Sequence, residues 1–181
     1  TTEGGTGANV AVIKASPFGD GKSAIFFDGT NDYLTTVDHA DWDFSNNDFT
    51  IEYWAKRTQF SNTQFHWAWT GSDGNEDVGL RFNTDGAIRS YWRNSSDSST
   101  NYTHAETVTD DTWHHFAYVR YGTTVKIYKD GIALTQTTSV GTTAIFDFDS
   151  NLAIGRPGDS NSAYFEGYID EFRIIKGVAV Y

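Results

Sequence analysis

The sequence predicts an all-β fold, an antiparallel sandwich in which about a dozen strands form two packed sheets. Aromatic residues, which suit a half-buried pleated surface, make up 16% of the chain. Short runs of alternating apolar and polar residues recur between turn signals, and no window of about 12 residues has the apolar spacing of an amphipathic helix. Two sheets are expected because one open sheet would leave an apolar face and two edges uncovered.

The first half of the chain carries the most regular alternation. Phe49, Ile51 and Tyr53 alternate with Glu52 and Trp54, which predicts a long strand with one buried face. The Asp-Gly-Thr-Asn segment after Phe27 and the Thr-Asp-Gly segment after Asn83 are turn signals between strands. The predicted strands of this half cover residues 8–13, 23–27, 33–37, 49–57, 65–70, 78–83 and 87–92.

Several large rings in this half are expected to form the core. Phe65, Trp67 and Trp69 have a spacing of two, which predicts that their rings share the buried face of one strand. Tyr91 and Trp92 are adjacent on a later strand and face opposite ways, so only one of them lies inside the sandwich.

The second half begins with a polar segment, NSSDSSTNYT at 94–103, which predicts a loop. Trp113 begins a long apolar strand and is expected to be buried in the core. Asp130 and Gly131 supply the two positive φ angles that a tight hairpin needs. The predicted strands of this half cover residues 113–121, 124–129, 132–138, 152–155 and 168–175.

One domain accounts for most of the 181 residues. Residues 1–22 are rich in glycine and predict a linker or an N-terminal edge segment, and residues 23–181 form the domain. The absence of Cys rules out disulfides and thiolate metal sites. The absence of Met and the uncharged ending GVAVY predict a piece of a longer protein.

The net charge and the lack of a long apolar run each exclude one class of partner. The net charge is −11, from 13 basic and 24 acidic residues, and such a surface repels the phosphate backbone of nucleic acids. No apolar run approaches the ~20 residues that a membrane-spanning helix needs, so no membrane insertion is expected.

Six segments of the chain carry a family resemblance. They are, in order, FDGTNDYL at 27–34, DFTIEYWAKR at 48–57, TWHHFAYVR at 112–120, KIYKDGIAL at 126–134, LAIGRPG at 152–158 and FEGYIDEFRI at 165–174. Together they resemble the laminin-G-like, concanavalin A-like jelly-roll domains, over residues 22–181. The resemblance implies a jelly roll of two curved sheets, frequent binding of sugars or proteins, and often a bound calcium. The ending IIKGVAVY is also similar to domains in structural proteins of marine bacteriophages.

Catalytic motifs are missing from the sequence, and the chain is not expected to be an enzyme. Related sandwiches that cut polysaccharides carry Glu-x-Asp-x-Glu, which places carboxylates on one face of a strand. Asp170 and Glu171 are adjacent here and must face opposite ways. His114 and His115 are adjacent on a strand, so they cannot chelate one metal ion together.

A calcium site is predicted at the turn that follows the strand at 23–27. Asp28, Asn31 and Asp32 gather three oxygen-bearing side chains, and calcium takes six to eight oxygen ligands. The resemblance implies that the first and last strands are neighbours, which would bring Asp170 to this turn. The alternative is that Asp28 and Asn31 cap the turn by accepting hydrogen bonds from backbone N–H groups.

A ligand-binding surface is predicted on the loops at 71–77, 94–103 and 157–164, because binding residues concentrate on loops over a rigid scaffold. The acidic surface favours a ligand that is neutral, cationic or held through calcium. In this hypothesis Tyr102 stacks on a sugar ring while polar neighbours bind its hydroxyl groups. The residues assigned to the site are Tyr102, Trp92, Arg93, Asn94 and Asn101.

The function predicted from these features is recognition without catalysis. The chain is expected to be an adhesion module of a larger virion or extracellular protein, with a cell-surface glycan or receptor as its ligand and other subunits of an assembly as its neighbours. One alternative is a structural spacer or assembly domain of a phage fibre, a capsid decoration or an adhesin. A diverged glycoside hydrolase is a further alternative.

Overall fold

The computed structural model describes residues 11–13, 16–70, 76–147, 150–158 and 161–181, and for residues 11–13, 76 and 77 it describes the backbone alone. Thirteen strands and one short 3₁₀ helix, Ala40–Trp42, form in this part of the chain. The strands are β1 Ala11–Ile13, β2 Ala24–Asp28, β3 Leu34–Thr36, β4 Phe49–Arg57, β5 Gln64–Thr70, β6 Glu76–Phe82, β7 Ala87–Arg93, β8 Ser99–Thr107, β9 Trp113–Tyr121, β10 Thr124–Lys129, β11 Ile132–Ser139, β12 Leu152–Ile154 and β13 Glu166–Lys176.

The strands form two antiparallel sheets, which confirms the predicted all-β sandwich. The seven-stranded sheet has the order β1-β2-β13-β4-β9-β10-β11, and the six-stranded sheet has the order β3-β12-β5-β6-β7-β8. Strand β13 lies between β2 and β4, so the strand that follows Ser23 and the last strand are neighbours. Within the described residues, no helix has the length and apolar composition that crossing a membrane requires.

The two sheets enclose an aromatic core. Phe49, Ile51 and Tyr53 are buried on the inner face of β4, as their alternation predicts. Trp67 and Trp69 meet them from β5 of the other sheet, and the Trp67 ring lies 5.3 Å from the ring of Tyr118 on β9.

Phe65 does not share this core, although its spacing predicted that it would. The pairing of β5 with β6 shifts between Phe65, opposite Arg81, and Trp67, opposite Leu80. The extra residue, His66, forms a β-bulge, and a bulge reverses the face on which the preceding residue lies. Phe65 therefore packs on the outward face of the six-stranded sheet, in a separate cluster with Tyr91.

The polar segment at 94–103 is a hairpin rather than a loop. A turn at 94–98 connects β7 to β8, and β8 is an edge strand of the six-stranded sheet. Thr100, Tyr102 and His104 alternate with exposed residues, and His104 is buried. Polar side chains are tolerated along this edge because one of its faces meets solvent.

Trp113 is half-buried on the outward face of β9, so its predicted place in the core is wrong. The face of each residue on β9 is fixed by Phe116 and Tyr118, which point into the core. Trp113 is an odd number of residues from both, and its ring packs outside the sheet at 6.1 Å from Tyr168.

One turn and one edge strand follow the sequence closely. Asp130 and Gly131 have φ angles of 52° and 78°, as the predicted tight hairpin requires. Strand β1 pairs with β2, so part of the segment at 1–22 is an edge strand of the seven-stranded sheet. Residues 8–10 of the predicted first strand lie outside the described residues.

His66 makes stability depend on pH. Its ring is buried, and its Nδ1 lies 2.6 Å from the hydroxyl oxygen of Tyr53. Burial lowers the pKa of His66 well below its ordinary value, and the charge of Arg57 lowers it further. An unfolded histidine has a pKa of about 6.5, so below that pH the unfolded chain binds a proton that the folded chain does not.

We therefore expect the free energy of unfolding to fall as pH is lowered from about 6.5 to 5. The single proton of His66 contributes at most about 1.4 kcal/mol per pH unit to this slope. Urea denaturation of the wild type and of His66→Phe at several pH values measures it. Equal slopes in the two proteins would contradict the assignment.

Candidate functional site

A cavity of about 300 Å³ lies on the outward face of the six-stranded sheet, over β6, β7 and β8. Alternation places successive side chains of β7 on opposite faces, so Ile88, Ser90 and Trp92 point inward while Arg89 and Tyr91 point outward. The residues that line the cavity are Arg81, Arg89, Tyr91, Trp92, Ser99, Thr100 and Asn101.

The pairing of three strands brings the outward side chains together. Arg81 lies opposite Arg89, and Tyr91 lies opposite Asn101. Both guanidinium carbons lie 5.3 Å from the centroid of the Tyr91 ring. A nitrogen of Arg89 donates a hydrogen bond of 2.6 Å to the side-chain oxygen of Asn101. The cavity thus combines two cations, an aromatic ring and an amide on rigid strands.

The floor of the cavity is an apolar cluster outside the main core. The rings of Phe65 and Tyr91 stack with centroids 5.9 Å apart. Gly79 lies opposite Tyr91, and a Cβ atom there would lie 2.7 Å from the backbone oxygen of Trp67. Ala163 packs on the same cluster, and its backbone oxygen accepts a 3.0 Å hydrogen bond from the N–H of Phe65. One of the predicted recognition loops, 157–164, therefore borders this face.

The structure brings only part of the predicted ligand-binding set to the cavity. Asn101 lines it through its side chain. The ring of Trp92 is 3% exposed and stacks on Phe49 in the core, so its predicted contact with a sugar is wrong. Tyr102 lies opposite Ser90, whose side chain points inward, and is half-buried, so its ring is on the other face of β8 from Asn101.

Arg93 and Asn94 belong to the turn between β7 and β8. The side-chain oxygen of Asn94 accepts 3.0 Å hydrogen bonds from the N–H groups of Ser96 and Ser98. Arg93 is buried, its Nε donates a 2.6 Å hydrogen bond to Asp97, and its guanidinium lies over the Phe146 ring. These contacts assign both residues a role in the turn. Residues 71–75 and 159–160 of the other predicted loops lie outside the described residues.

Sequence reasoning missed Arg81 and Arg89, and it did not join them to Tyr91 in one site. The sequence of β7, AIRSYWR, contains the signal that could have found Arg89 beside Tyr91. Arg89, Tyr91 and Arg93 stand at every second position, so they leave the strand on the same face. The net charge of −11 is a sum over the whole chain and does not reveal a local cluster of cations. This cavity is built almost wholly on strands, whereas the predicted binding surface lay on loops.

The acidic turn after β2 is held by its own backbone. Asp28 accepts hydrogen bonds of 2.8 and 3.2 Å from the N–H groups of Thr30 and Asn31, and Asp32 accepts one of 3.1 Å from the N–H of Asp28. Burial alone would raise the pKa of Asp28, but these N–H donors outweigh it and the pKa is lowered. Burial and the charge of Asp28 raise the pKa of Asp32. Asp28 therefore caps the turn, as the alternative to a calcium site predicted.

Asp170 does not join this turn. Strands β2 and β13 are neighbours, as the resemblance implied, but their register places Glu166 opposite Asp28. Asp170 lies four residues further along β13, a distance of about 13 Å, and is opposite Trp54. The predicted pairing of Asp28 with Asp170 is therefore wrong.

The described residues do not assemble a calcium site at this turn. Asn31 contributes its N–H to the turn, and the carboxylates of Asp28 and Asp32 accept backbone hydrogen bonds. Across the part of the chain that the structure describes, no three His, Cys, Asp or Glu side chains are grouped to hold a metal ion. Calcium binding by this chain stays a prediction.

The cavity lacks the groups that hydrolysis would need. Glycoside hydrolysis uses two carboxylates flanking the scissile bond. The described residues that line this cavity include no Asp or Glu. The arrangement of cations, amide and hydroxyl groups supports binding instead.

The comparisons with known proteins assign the family. The family model described as the concanavalin A-like lectin/glucanases superfamily, of the laminin-G type, matches residues 28–179. The chain belongs to this superfamily. A search of curated proteins returns no match.

Solved structures similar to this superfamily member share its fold at low sequence identity. The binding domain of Paraclostridial Mosquitocidal Protein 1 has a TM-score of 0.72 and 16% identity, over 95% of this chain and 43% of that one. Domain 4 of an extracellular arabinanase from Geobacillus stearothermophilus, solved in complex with arabinotriose, has a TM-score of 0.66 and 19% identity. The match covers 96% of this chain and 78% of that one. The LG4-5 domains of the mouse laminin alpha1 chain have a TM-score of 0.62 and 19% identity, and the match covers 83% of this chain and 40% of that one.

Proposed function

We propose that this domain is a non-catalytic glycan-binding module, and that the cavity over β6, β7 and β8 is its binding site. The observation that carries the proposal is the Tyr91 ring flanked by Arg81 and Arg89, with Asn101 beside them. Sugars are recognised by directional hydrogen bonds from such side chains on a pre-formed surface. The similar structures support the proposal, because one is a toxin's binding domain and another holds arabinotriose.

The shape of the site suggests weak binding by each copy. The polar groups that line the cavity sit on paired sheet strands, which have little freedom to close around a ligand. A single contact of this kind would have a Kd near millimolar, about −4 kcal/mol. Several copies on one particle would raise the avidity by ~10²–10⁴.

The setting that suits such a module is the surface of a larger extracellular or virion protein, including a phage structural protein. A cell-surface glycan or receptor would be its ligand, and other subunits of the assembly would supply the multiple copies. The superfamily assignment and the toxin and laminin domains among the similar structures support this setting.

The test is a glycan array, with neutral and acidic sugars, probed by a multivalent display of the domain. We expect Asn101→Ala to weaken binding about threefold to tenfold, because it removes a hydrogen-bonding group from the cavity. The matched control is Asn46→Ala, which truncates an exposed asparagine in the turn before β4, a strand of the other sheet.

Two outcomes would count against the proposal. If the wild type binds no glycan on the array, the structural-spacer alternative is favoured. If Asn101→Ala and Asn46→Ala both bind as the wild type does, the domain binds glycans at another surface.

A further inference from the structure

The cavity places two positive charges side by side on a chain with a net charge of −11. Arg81 and Arg89 are direct partners in the pairing of β6 with β7, so both side chains leave the sheet on the same face. Like charges directly opposite each other destabilise a sheet. The shared contact with the ring of Tyr91 offsets part of this repulsion, since a cation over an aromatic face is stabilised.

Arg89 has little else to balance its charge. It donates to the side-chain oxygen of Asn101, and its Nε is buried without a hydrogen-bond partner. No carboxylate among the described residues lies within ion-pair distance of it. Arg93 and Arg173, by contrast, pair with Asp97 and Glu52. Arg89 therefore presents a guanidinium to the cavity with an amide oxygen and a ring as its partners.

We infer that the glycan bound in this cavity carries an anionic group, a carboxylate or a sulfate, and that Arg89 binds that group. This inference rests on the proposed glycan-binding function. A guanidinium presents its N–H donors as a planar fork, which matches the two oxygens of a carboxylate or sulfate. Ser99 and Asn101 lie beside it and provide groups for neighbouring hydroxyls.

The acidic surface of the domain does not oppose this assignment at short range. Charges separated by more than about 8 Å are largely screened at physiological salt, whereas a direct contact is screened much less. The net charge of −11 therefore slows the approach of an anionic glycan, and the contact with Arg89 decides its affinity. This assignment takes the place of the expectation, drawn from net charge, of a ligand that is neutral, cationic or held through calcium.

The experiment measures binding of a multivalent display to four soluble oligosaccharides of equal length: a neutral one, a polyuronate, a sulfated one and its desulfated counterpart. We expect the wild type to bind a charged oligosaccharide about tenfold to hundredfold more tightly than the neutral one. Arg89→Gln should abolish that preference, and Arg89→Lys should restore part of it. The polyuronate and sulfate arms identify which anion is bound.

Lys126→Gln is the matched control, because it also removes one positive charge but lies exposed on β10 of the other sheet. Melting curves of all variants verify that they are folded. Equal binding of neutral and charged oligosaccharides, unchanged by Arg89→Gln, would overturn the inference and leave glycan binding in place. An equal loss in Lys126→Gln and Arg89→Gln would also overturn it, as an effect of net charge. Binding of no oligosaccharide would overturn both proposals.

Discussion

Replacing Trp67 with alanine is expected to lower the free energy of unfolding by about 3–5 kcal/mol. The side chain is fully buried, and its ring lies 5.8 Å from the Trp69 ring and 5.3 Å from the Tyr118 ring. Truncation would leave a cavity between the two sheets that strands on either side cannot close. Domains of this kind have only about 5–15 kcal/mol in total, so the variant should be marginal at 37 °C.

Urea denaturation followed by circular dichroism measures this loss. Trp67→Phe should cost much less, because it keeps most of the ring volume and leaves a smaller cavity. Tyr121→Ala is the matched control on a 69% exposed ring and should change stability by less than about 0.5 kcal/mol. Equal losses in Trp67→Ala and Tyr121→Ala would mean that β5 presents the other face to the core.

The individual strands were predictable because alternation is a local property. Strands β4, β9 and β10 begin and end at the predicted residues, and the Asp130-Gly131 turn has the predicted conformation. Each depends on the chemistry of a few adjacent residues. The apolar face of β4 also follows directly from its sequence.

The errors arose where pairing between distant strands decides the result. The bulge at His66 places Phe65 on the outward face, although the spacing of Phe65, Trp67 and Trp69 is that of one uninterrupted strand. The register of β2 with β13 placed Glu166, and not Asp170, opposite Asp28. Family resemblance gave the correct neighbours but not their register, and a shift of four residues along a strand separates two side chains by about 13 Å.

The candidate site shows the same limit. Asn101 was assigned to the site from the sequence, but its partners were not. Arg81 and Arg89 are eight positions apart in sequence and become neighbours only through the hairpin of β6 and β7. Tyr102 was predicted to lie on a loop, and the strand that forms there turns its ring away from Asn101. A site on the face of a sheet depends on the register of all its strands.

Replacing Arg120 with methionine should lower the free energy of unfolding by about 3 kcal/mol or more. The side chain is fully buried, yet its guanidinium donates hydrogen bonds of 3.1 Å to the backbone oxygens of Ser45 and Thr143 and one of 3.3 Å to that of Gly122. Burial lowers the pKa of Arg120. Methionine fills similar space but removes a donor from the oxygens of Gly122 and Thr143 and one of the two donors of the Ser45 oxygen. Each buried group left unsatisfied costs about 1–3 kcal/mol.

The position of this arginine also predicts where the damage appears. Arg120 joins the turn at Ser45 to the segment around Thr143, and the N–H of Ile145 bonds to the oxygen of Ser45 at 2.8 Å. Hydrogen exchange should therefore quicken at residues 141–146 before the rest of the sandwich opens, since a segment that loses its anchoring bonds opens locally. Lys126→Met, on the exposed face of the adjacent strand β10, should leave both stability and exchange near wild type. Unchanged exchange at 141–146 in Arg120→Met would show that the segment is held by its apolar contacts, such as that of Ile145 with the core.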